Sequence, residues 1–414
     1  IGVSVHGEVA ASQDYPNFRP TLDLNFAAEK KLDPRITYER TGVASFVNEF
    51  GKIVLVADNV PRFDHDIVTR ESKGLLIEEA RTNLAKYSDM DMDSIGSGYY
   101  GNVNLARAEG PDGVADSALQ VTFTAAGSSF VRSGIIPCSA GVEYTFSVWI
   151  KKVSGSFSNS FFSYPQNAAA GLFNNSGFVN TEGQQLSTMP TGVWKRFTQT
   201  RTTASGTTAM DFVMPGYDSN GATIQYYGLQ MEAGAFATSY IPSTNGAATT
   251  RGADTAFIDG DDFDNIYNDS EGTFVLQATT GDLSSSNQAA WGVEKASNRS
   301  GHFSVVGYRV GGGQSGYTGA WYTANGSTSA FHNMNAGVTA STPFKIAFSY
   351  KVNDMDATTN GGTVLGDTNA AIDPDFDRFT LGSYHFGSMK IGHIQRAIYH
   401  SSKITNNQLL TLTS

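Results

Sequence analysis

The strongest constraint on the fold is residues 142–150, where apolar and polar side chains alternate with a period of two. One face would carry Val142, Tyr144, Phe146, Val148 and Ile150, and the other Glu143, Thr145, Ser147 and Trp149. Because neighbouring side chains of a strand point to opposite faces, this alternation predicts a half-buried antiparallel β-strand with an apolar inner face.

Shorter segments with the same character predict further strands along the chain. They lie at 119–124, 194–201, 210–214, 224–231, 273–279, 302–310, 344–351, 379–383 and 389–399, with a hairpin around 46–56 and a strand at 75–77. The 44 glycines and the aromatic content of 12% favour many short strands joined by turns. Thr405 is placed to cap a short helix over residues 406–412. The predicted fold class is therefore all-β.

A chain of 414 residues is too long for a single hydrophobic core, so two or three domains are expected. Residues 1–80 are predicted to form a small N-terminal β module. Residues 81–250 and 251–414 are predicted to form two antiparallel β-sandwiches of jelly-roll type. Small polar residues without periodicity at 243–256 predict a linker between the two sandwiches.

The acidic net charge of the chain limits which kinds of molecule it is expected to bind. The net charge is −11 and the isoelectric point is near 5.1. Nucleic acid is disfavoured as a partner, since neutralising phosphates requires an excess of Lys and Arg.

No run of about 18 apolar residues is present, so membrane insertion is not expected either. Cys138 is the single cysteine, which excludes an intrachain disulfide.

Three phrases in the first 250 residues resemble a known protein family. The first is Pro61-Arg62-Phe63-Asp64-His65-Asp66, continuing through Gly74-Leu75-Leu76-Ile77-Glu78-Glu79-Ala80-Arg81-Thr82-Asn83-Leu84. The second is Leu22-Asp23-Leu24-Asn25-Phe26 with Leu32-Asp33-Pro34-Arg35-Ile36-Thr37. The third is Gly228-Leu229-Gln230-Met231-Glu232-Ala233-Gly234, then Thr238-Ser239-Tyr240-Ile241-Pro242. Together they resemble tail-fibre-like and other virion structural proteins of tailed bacteriophages. Ile67 stands where that family usually has Pro, and Arg70 where it usually has Gly.

The resemblance implies a fold and a function. Residues 1–80 would attach the protein to other virion proteins, ahead of a carbohydrate-binding-module-like sandwich. The last third matches loosely, as a concanavalin-like or laminin-G-like sandwich. The implied protein is a fibre or spike subunit on the virion, a homo-oligomer and preferably a homotrimer, that binds a host-surface glycan during adsorption. The alternative is a capsid-decoration, head-fibre or baseplate protein that binds no glycan.

Aromatic residues are the candidates for glycan contact, since the apolar face of a sugar ring fits an aromatic plane. Trp149 is predicted on the polar face of its strand, where it either contacts sugar or is covered by a loop or a neighbouring subunit. One of Tyr226 and Tyr227 must point outward. Near glycine-rich loops, the candidates are Trp291, Tyr317, Trp321 and Tyr322, with loop packing between subunits as the alternative.

Metal binding and catalysis have weaker sequence support. Asp259, Asp261 and Asp264 form an acidic cluster that could hold a structural calcium ion, although it lacks the glycine and glutamate of a calcium loop. Solvated turns are the alternative, and no other cofactor is expected.

The sequence has no paired-carboxylate phrase, nucleophile elbow or zinc-binding histidine pair, so we do not expect an enzyme.

Overall fold

The computed structural model describes residues 19–91, 99–125, 129–157, 162–166, 179–180, 183–213, 221–281, 288–297, 303–309, 317–324, 327–334, 338–372, 375–382 and 391–414. Antiparallel sheets dominate this part of the chain, and its helices are short. The predicted all-β class with sandwich domains is therefore confirmed. Within these residues, no helix is both long and apolar enough to cross a membrane.

The first segment contains short strands and one helical turn. Its elements are β1 (Leu22–Leu24), α1 (Phe26–Glu29), β2 (Thr37–Glu39), β3 (Ala44–Val47), β4 (Ile53–Val56), β5 (Phe63–His65), β6 (Ser72–Glu78) and β7 (Arg81–Asn83). Strands β3 and β4 form the predicted hairpin, and β6 covers the predicted strand at 75–77.

The middle segment contains strands of two to twelve residues. They are β8 (Tyr99–Tyr100), β9 (Val103–Ala108), β10 (Ala118–Phe123), β11 (Phe130–Val131), β12 (Ile136–Pro137), β13 (Glu143–Ser154), β14 (Phe162–Gln166), β15 (Val179–Asn180), β16 (Trp194–Thr202), β17 (Ala209–Val213) and β18 (Thr223–Ala233). A six-stranded sheet in the order β15-β16-β13-β18-β10-β9 and a three-stranded sheet β12-β17-β14 contribute to one core. Phe146 and Phe212, one from each sheet, stack there at 4.1 Å between ring centroids.

The last segment completes a second sandwich. Its elements are β19 (Thr249–Arg251), β20 (Thr255–Asp259), α2 (Gly260–Asp264), β21 (Glu271–Thr280), β22 (Gln288–Glu294), β23 (Phe303–Arg309), β24 (Tyr317–Ala324), β25 (Ser327–Met334), β26 (Pro343–Lys351), β27 (Met355–Thr359), β28 (Leu365–Asp367), β29 (Arg378–Leu381), β30 (Ile391–His400) and α3 (Asn406–Thr413). Thr405 caps α3 with a capping box to Gln408, as the sequence predicts.

Four strands of the first segment join the sheets of the second sandwich, whereas β3 and β4 form a separate two-stranded sheet. Strands β1 and β6 both pair with β30, β5 pairs with β6, and β2 pairs with β20. The second sandwich therefore has one sheet in the order β28-β27-β26-β21-β30-β6-β5, with β1 also on β30, and one in the order β2-β20-β29-β22-β23-β24-β25. The predicted boundary at residue 80 lies just after β6, where the chain leaves these two sheets and returns to them at β20. Short strands cannot bury a core alone, so their apolar residues enter the core of the second sandwich.

The predicted linker at 243–256 is ordered structure. Strand β19 pairs with β7, and β20 begins at Thr255. Arg251 and Asp254 are buried, although the small polar residues around them are typical of a flexible connection. The charges explain the difference, because both side chains have buried partners of opposite charge.

Those partners belong to a buried ion network between the two sandwiches. Arg62 donates to Glu78 and to Asp254, each at 2.6 Å, and Arg251 donates to Glu78 at 2.7 Å. Arg40 lies 3.8 Å from Asp254. All of these side chains are fully buried. We call these five residues the ion network.

Neutral groups complete the coordination of the two carboxylates. The backbone N–H of Ser239 donates to Glu78 at 2.7 Å, and its hydroxyl donates to the same carboxylate at 2.6 Å. Tyr38 donates to Asp254 at 2.5 Å, and the backbone N–H of Glu78 donates to Asp254 at 2.7 Å. Residues from all three parts of the chain therefore meet here. Two of the three family-like phrases contribute directly, through Arg62, Glu78 and Ser239.

The backbone of β6 packs closely against the backbone of its neighbour β30. Gly74 has φ +87°, and a Cβ there would lie 2.3 Å from the carbonyl oxygen of Ile394 in β30. Only glycine accommodates both the dihedral angle and this approach. The glycine of the first family-like phrase therefore has a structural role in the contact between β6 and β30.

The ion network makes folding sensitive to acid. Burial raises the pKa of Glu78, but the charges of Arg251 and Arg62 and the hydrogen bonds from Ser239 outweigh it and lower that pKa from 4.5 to about 2. A depressed carboxyl pKa stabilises the folded state above the unfolded pKa, and this stabilisation is lost as the pH falls toward the folded pKa. The affected window is therefore about pH 5 to 2.

We predict that Glu78→Gln lowers the free energy of unfolding by about 3–5 kcal/mol at pH 7, because it leaves buried guanidinium groups uncompensated. The difference from wild type should shrink by about 3 kcal/mol between pH 5 and pH 2. Urea unfolding followed by circular dichroism measures both effects.

The matched control is Glu49→Gln, which removes an exposed ion pair with Lys30 and should cost less than about 1 kcal/mol. A pH-independent difference between Glu78→Gln and wild type would contradict the pKa assignment.

The turn after β5 holds Arg70 in a left-handed backbone conformation. Asp66 accepts hydrogen bonds from the backbone N–H groups of Val68 and Thr69, both at 2.8 Å, and Arg70 has φ +64°. This left-handed conformation suits the glycine that the family usually has at this position. The turn is thus compatible with that pattern, with a strained arginine in place of glycine.

We predict that Arg70→Gly raises the free energy of unfolding by about 0.5–1 kcal/mol, since the relief of left-handed strain exceeds the entropy cost of glycine. Arg70→Ala keeps the strain and should give no increase. Equal effects of the two substitutions on the urea midpoint would show that the arginine side chain, rather than the backbone, is responsible.

Candidate functional site

The outer face of the six-stranded sheet carries Trp149. Gly228 in β18 has φ +65° and lies at a register shift, where Ser147 pairs with Gln230 but Trp149 pairs with Tyr227. This bulge places Tyr226 in the core and lets Tyr227 share the outer face with Trp149. The neighbouring side chains of Val148 and Ile150 are buried in the sandwich core, as the alternation predicts.

Another part of the chain covers much of this outer face. Tyr227 and Tyr240 pack against Ile53 of the β3–β4 hairpin, with ring centroids of the two tyrosines 5.3 Å apart. Trp149 and Trp194 are partly buried against the same cluster. A loop covering the face was one of the two predicted outcomes for Trp149, and the cover here leaves a cavity.

That cavity has a volume of about 410 Å³ and lies where the three parts of the chain meet. The first part contributes Ser45, Phe46, Val47, Ile53, Asp64, His65, Asp66, Ile67, Lys73, Leu76 and Glu78 to its lining, the first sandwich contributes Trp149, Lys195, Arg196, Ala237, Thr238, Ser239 and Tyr240, and the second contributes Ser341 and His393. We call it the Trp149 cavity. Its volume is in the range typical of small-ligand sites.

The carboxylates of the cavity are held by specific partners. Asp64 lies 2.8 Å from His393 and accepts from the backbone N–H of Val47 at 2.7 Å. Burial raises the pKa of Asp64, but the interactions with His393, the charge of Lys73 and the hydrogen bond from Val47 together lower it, so the group is a carboxylate at neutral pH. Glu78 is already held by the ion network.

Arg196 and His65 form further parts of the wall. Arg196 donates to the carbonyl oxygen of Thr238 at 2.5 Å and to the Ser147 hydroxyl at 2.9 Å. Nδ1 of His65 lies 3.1 Å from the carbonyl oxygen of Val47, which can only accept, so Nδ1 carries the proton in this contact. Nε2 of His65 is closed to solvent and has no hydrogen-bond partner in the described part of the chain.

The arrangement can bind a small polar molecule with an apolar face. It offers one indole, the carboxylates Asp64 and Asp66, and the cationic side chains Lys73 and Arg196, and Lys73 lies 3.8 Å from Asp66. Mixed apolar and polar linings of this kind are typical of ligand sites.

The other predicted aromatic residues are not brought to an exposed tip. Trp291 is 1% exposed, stacks on Phe379 at 5.2 Å and donates to the carbonyl oxygen of Ile398. Tyr322 is 0% exposed in the same core, and Trp321 is 8% exposed. Tyr227 is 5% exposed. These residues lie on strands rather than on glycine-rich loops, so their rings pack inward or beneath the cover. The side chain of Tyr317 lies outside the described residues.

The acidic cluster does not assemble a cation site in the structure. Asp259 is the N-terminal flanking residue of α2, and Asp261 and Asp264 lie on its exposed surface. Among the described residues, no group of three His, Cys, Asp or Glu side chains is arranged to hold a metal ion. Calcium binding by these three aspartates stays a prediction.

Sequence reasoning missed Asp64, His65 and His393 as cavity residues. The signal was present for the first two, since both lie in the family-like phrase, but His393 is 329 residues from Asp64. Only the pairing of β30 with β6, which is a long-range contact, brings the two together.

Comparisons with known proteins identify no family. No protein-family model and no curated protein matches the chain. Solved structures with local similarity include the CBM40 of the Ruminococcus gnavus IT-sialidase bound to α2,3-sialyllactose, at 16% identity and a TM-score of 0.31, covering 36% of this chain and 84% of that one. Domain 4 of an extracellular arabinanase from Geobacillus stearothermophilus, in complex with arabinotriose, has 16% sequence identity and a TM-score of 0.30. That match covers 39% of this chain and 73% of the arabinanase domain. A Streptococcus pneumoniae sialidase has 17% sequence identity and a TM-score of 0.30, and the match covers 36% of this chain and 24% of that one. At these values the similarity identifies neither the family nor a ligand of this chain.

We predict that replacing the buried Trp291 destabilises the fold more than replacing the partly buried Trp149. Trp291→Ala should lower the free energy of unfolding by about 3–5 kcal/mol, because it leaves a large cavity in a closed core. Trp149→Ala should cost less than about 2 kcal/mol, since its ring already borders an open cavity. Urea unfolding of both variants measures the difference, and equal costs would show that Trp149 is a core residue.

Proposed function

We propose that this protein is a fibre or spike subunit on the virion of a tailed bacteriophage, and that it binds a host-surface glycan in the Trp149 cavity. The three family-like phrases support the virion assignment. The observation that carries the binding site is the cavity itself, which is lined by a partly exposed indole and by charged groups of both signs. Binding would proceed without a cofactor and without turnover of the glycan.

A sugar ring matches this combination of groups. Its C–H face is apolar and can pack on the Trp149 indole, while its hydroxyl groups both donate and accept hydrogen bonds. Asp66 and Lys73 line the cavity within the same turn region and offer an acceptor and a donor. A volume of about 410 Å³ accommodates a small saccharide.

Attachment and assembly complete the proposal. Val43, Leu55 and Val60 are exposed apolar residues on and beside the β3–β4 hairpin. Their surface is suited to contact with another virion protein, in agreement with an attachment role for the first 80 residues. A homotrimer would present three cavities, so that weak binding at each site yields strong adsorption through avidity.

A structural virion protein without glycan binding is the second candidate. Two observations favour it: most of the predicted aromatic contacts are buried within the chain, and the ion network joins the sandwiches through fully buried contacts. Such a joint suits a decoration or baseplate protein as well as a fibre. The two candidates differ in whether the Trp149 cavity binds sugar.

We predict that the full chain binds to a subset of a glycan array, and that Trp149→Ala weakens this binding about tenfold, the loss expected for one aromatic contact. Titration calorimetry with the best array ligand measures the change. Trp149→Phe keeps an aromatic plane and should retain most of the affinity.

The control variant is Val352→Ala, an exposed position that does not line the cavity and should leave binding unchanged. Binding that Trp149→Ala does not alter would place the glycan elsewhere. Absence of binding to both the array and host cells, by a correctly folded and assembled protein, would favour the structural candidate.

A further inference from the structure

A second opening lies beside the Trp149 cavity. It is a groove with a volume of about 600 Å³, whose lining includes Phe50, Lys52, Val68, Glu109, Lys151 and Trp194. Ile67 lines both the groove and the cavity. The two spaces therefore adjoin each other on either side of the same turn region.

Both spaces are built on one face of one sheet. In the pairing of β13 with β16, Trp149 lies opposite Arg196 and Lys151 lies opposite Trp194. Directly opposed residues share a face, and so do residues two apart in a strand, so the two tryptophans are diagonal neighbours. Diagonal neighbours lie roughly 7–8 Å apart in an antiparallel pair. The Trp149 cavity and the groove that Trp194 lines therefore lie side by side on this face of the sheet.

The groove has an exposed aromatic ring of its own. Phe50 is 65% exposed at the tip of the β3–β4 hairpin. The turn is ordered, because Oδ1 of Asn48 accepts from the backbone N–H groups of Phe50 and Lys52, both at 3.0 Å. An ordered turn that holds an apolar ring in solvent loses little entropy when the ring contacts a ligand.

Polar groups in the groove can bind hydroxyls. The ammonium of Lys151 lies 5.0 Å from the centroid of the Trp194 ring, and Glu109 is exposed nearby. Burial lowers the pKa of Lys151, and the charge of Glu109 opposes this effect. One face of Trp194 is thus covered by Lys151, which leaves Phe50 as the aromatic platform of the groove.

We propose that the groove is a second saccharide subsite, and that the protein binds an oligosaccharide extending from the Trp149 cavity past Ile67 to Phe50. This inference rests on the proposed glycan-binding function and specifies its ligand as a chain of several sugar units. Phe50 contacts a ring at the distal subsite, while Trp149 contacts a ring in the cavity.

The test compares ligands of different length. Cellulose-, chitin- and polysialic-acid-derived ladders of one to six units are titrated against the full chain and against Phe50→Ala, Trp149→Ala and Val352→Ala. For the ladder that binds, wild-type affinity should rise at least about tenfold between the shortest and longest members, as one added aromatic contact allows. Phe50→Ala should remove this increase and leave the affinity for the shortest binding member unchanged. Trp149→Ala should weaken every member.

The outcomes separate the two proposals. An affinity that is independent of length, or a length-dependent increase that survives Phe50→Ala, overturns the second subsite and leaves the glycan-binding function standing. Binding to no ladder and to no array glycan overturns both. Because Phe50 is mostly exposed, its substitution should not disturb folding, and an unchanged urea midpoint verifies this.

Discussion

The fold depends on the buried ion network. Burying charges is costly unless each is paired and hydrogen-bonded. Here the carboxylate of Glu78 accepts hydrogen bonds from Arg62, from Arg251, and from the backbone N–H and hydroxyl of Ser239. The carboxylate of Asp254 accepts hydrogen bonds from Arg62, from the Tyr38 hydroxyl and from the backbone N–H of Glu78. The partners are separated by up to 216 residues in sequence, so the carboxylates are satisfied only when three parts of the chain meet. The network therefore favours this assembly over arrangements in which the sandwiches fold separately.

The candidate site follows from that assembly. The first 80 residues supply Asp64 and His65, the first sandwich supplies Trp149 and Arg196, and β30 of the second supplies His393. Glu78 belongs to both the network and the cavity wall. A fragment that begins at residue 81 would lack strands β1, β2, β5 and β6 of the second sandwich, three residues of the ion network and about half of the cavity lining. Function must accordingly be examined on the whole chain.

Periodicity in the sequence was sufficient to predict the all-β class, several of the long strands and the outward position of Trp149, and residue type predicted the cap at Thr405. Other strands, among them β22, β24 and β25, are not among those that the sequence predicts. Periodicity was insufficient where structure depends on distant partners. The alternation around 224–231 does not reveal that Gly228 shifts the register, so which of Tyr226 and Tyr227 faces outward was left open. Composition at 243–256 indicated a linker, because the partners of Arg251 and Asp254 lie far away in sequence. For the same reason the pairing of β1 and β6 with β30 was not predicted.

Amide hydrogen exchange followed by mass spectrometry tests most directly whether the network joins three segments into one cooperative unit. The relevant peptides cover residues 74–84, 230–242 and 251–259, which include the N–H groups of Glu78 and Ser239 that donate to the buried carboxylates. We expect these peptides to exchange as slowly as the central strands at 143–154 and 271–280, through global unfolding alone. Faster exchange of residues 74–84 or 230–242, while both central strands stay protected, would contradict the account and show that the joint opens independently.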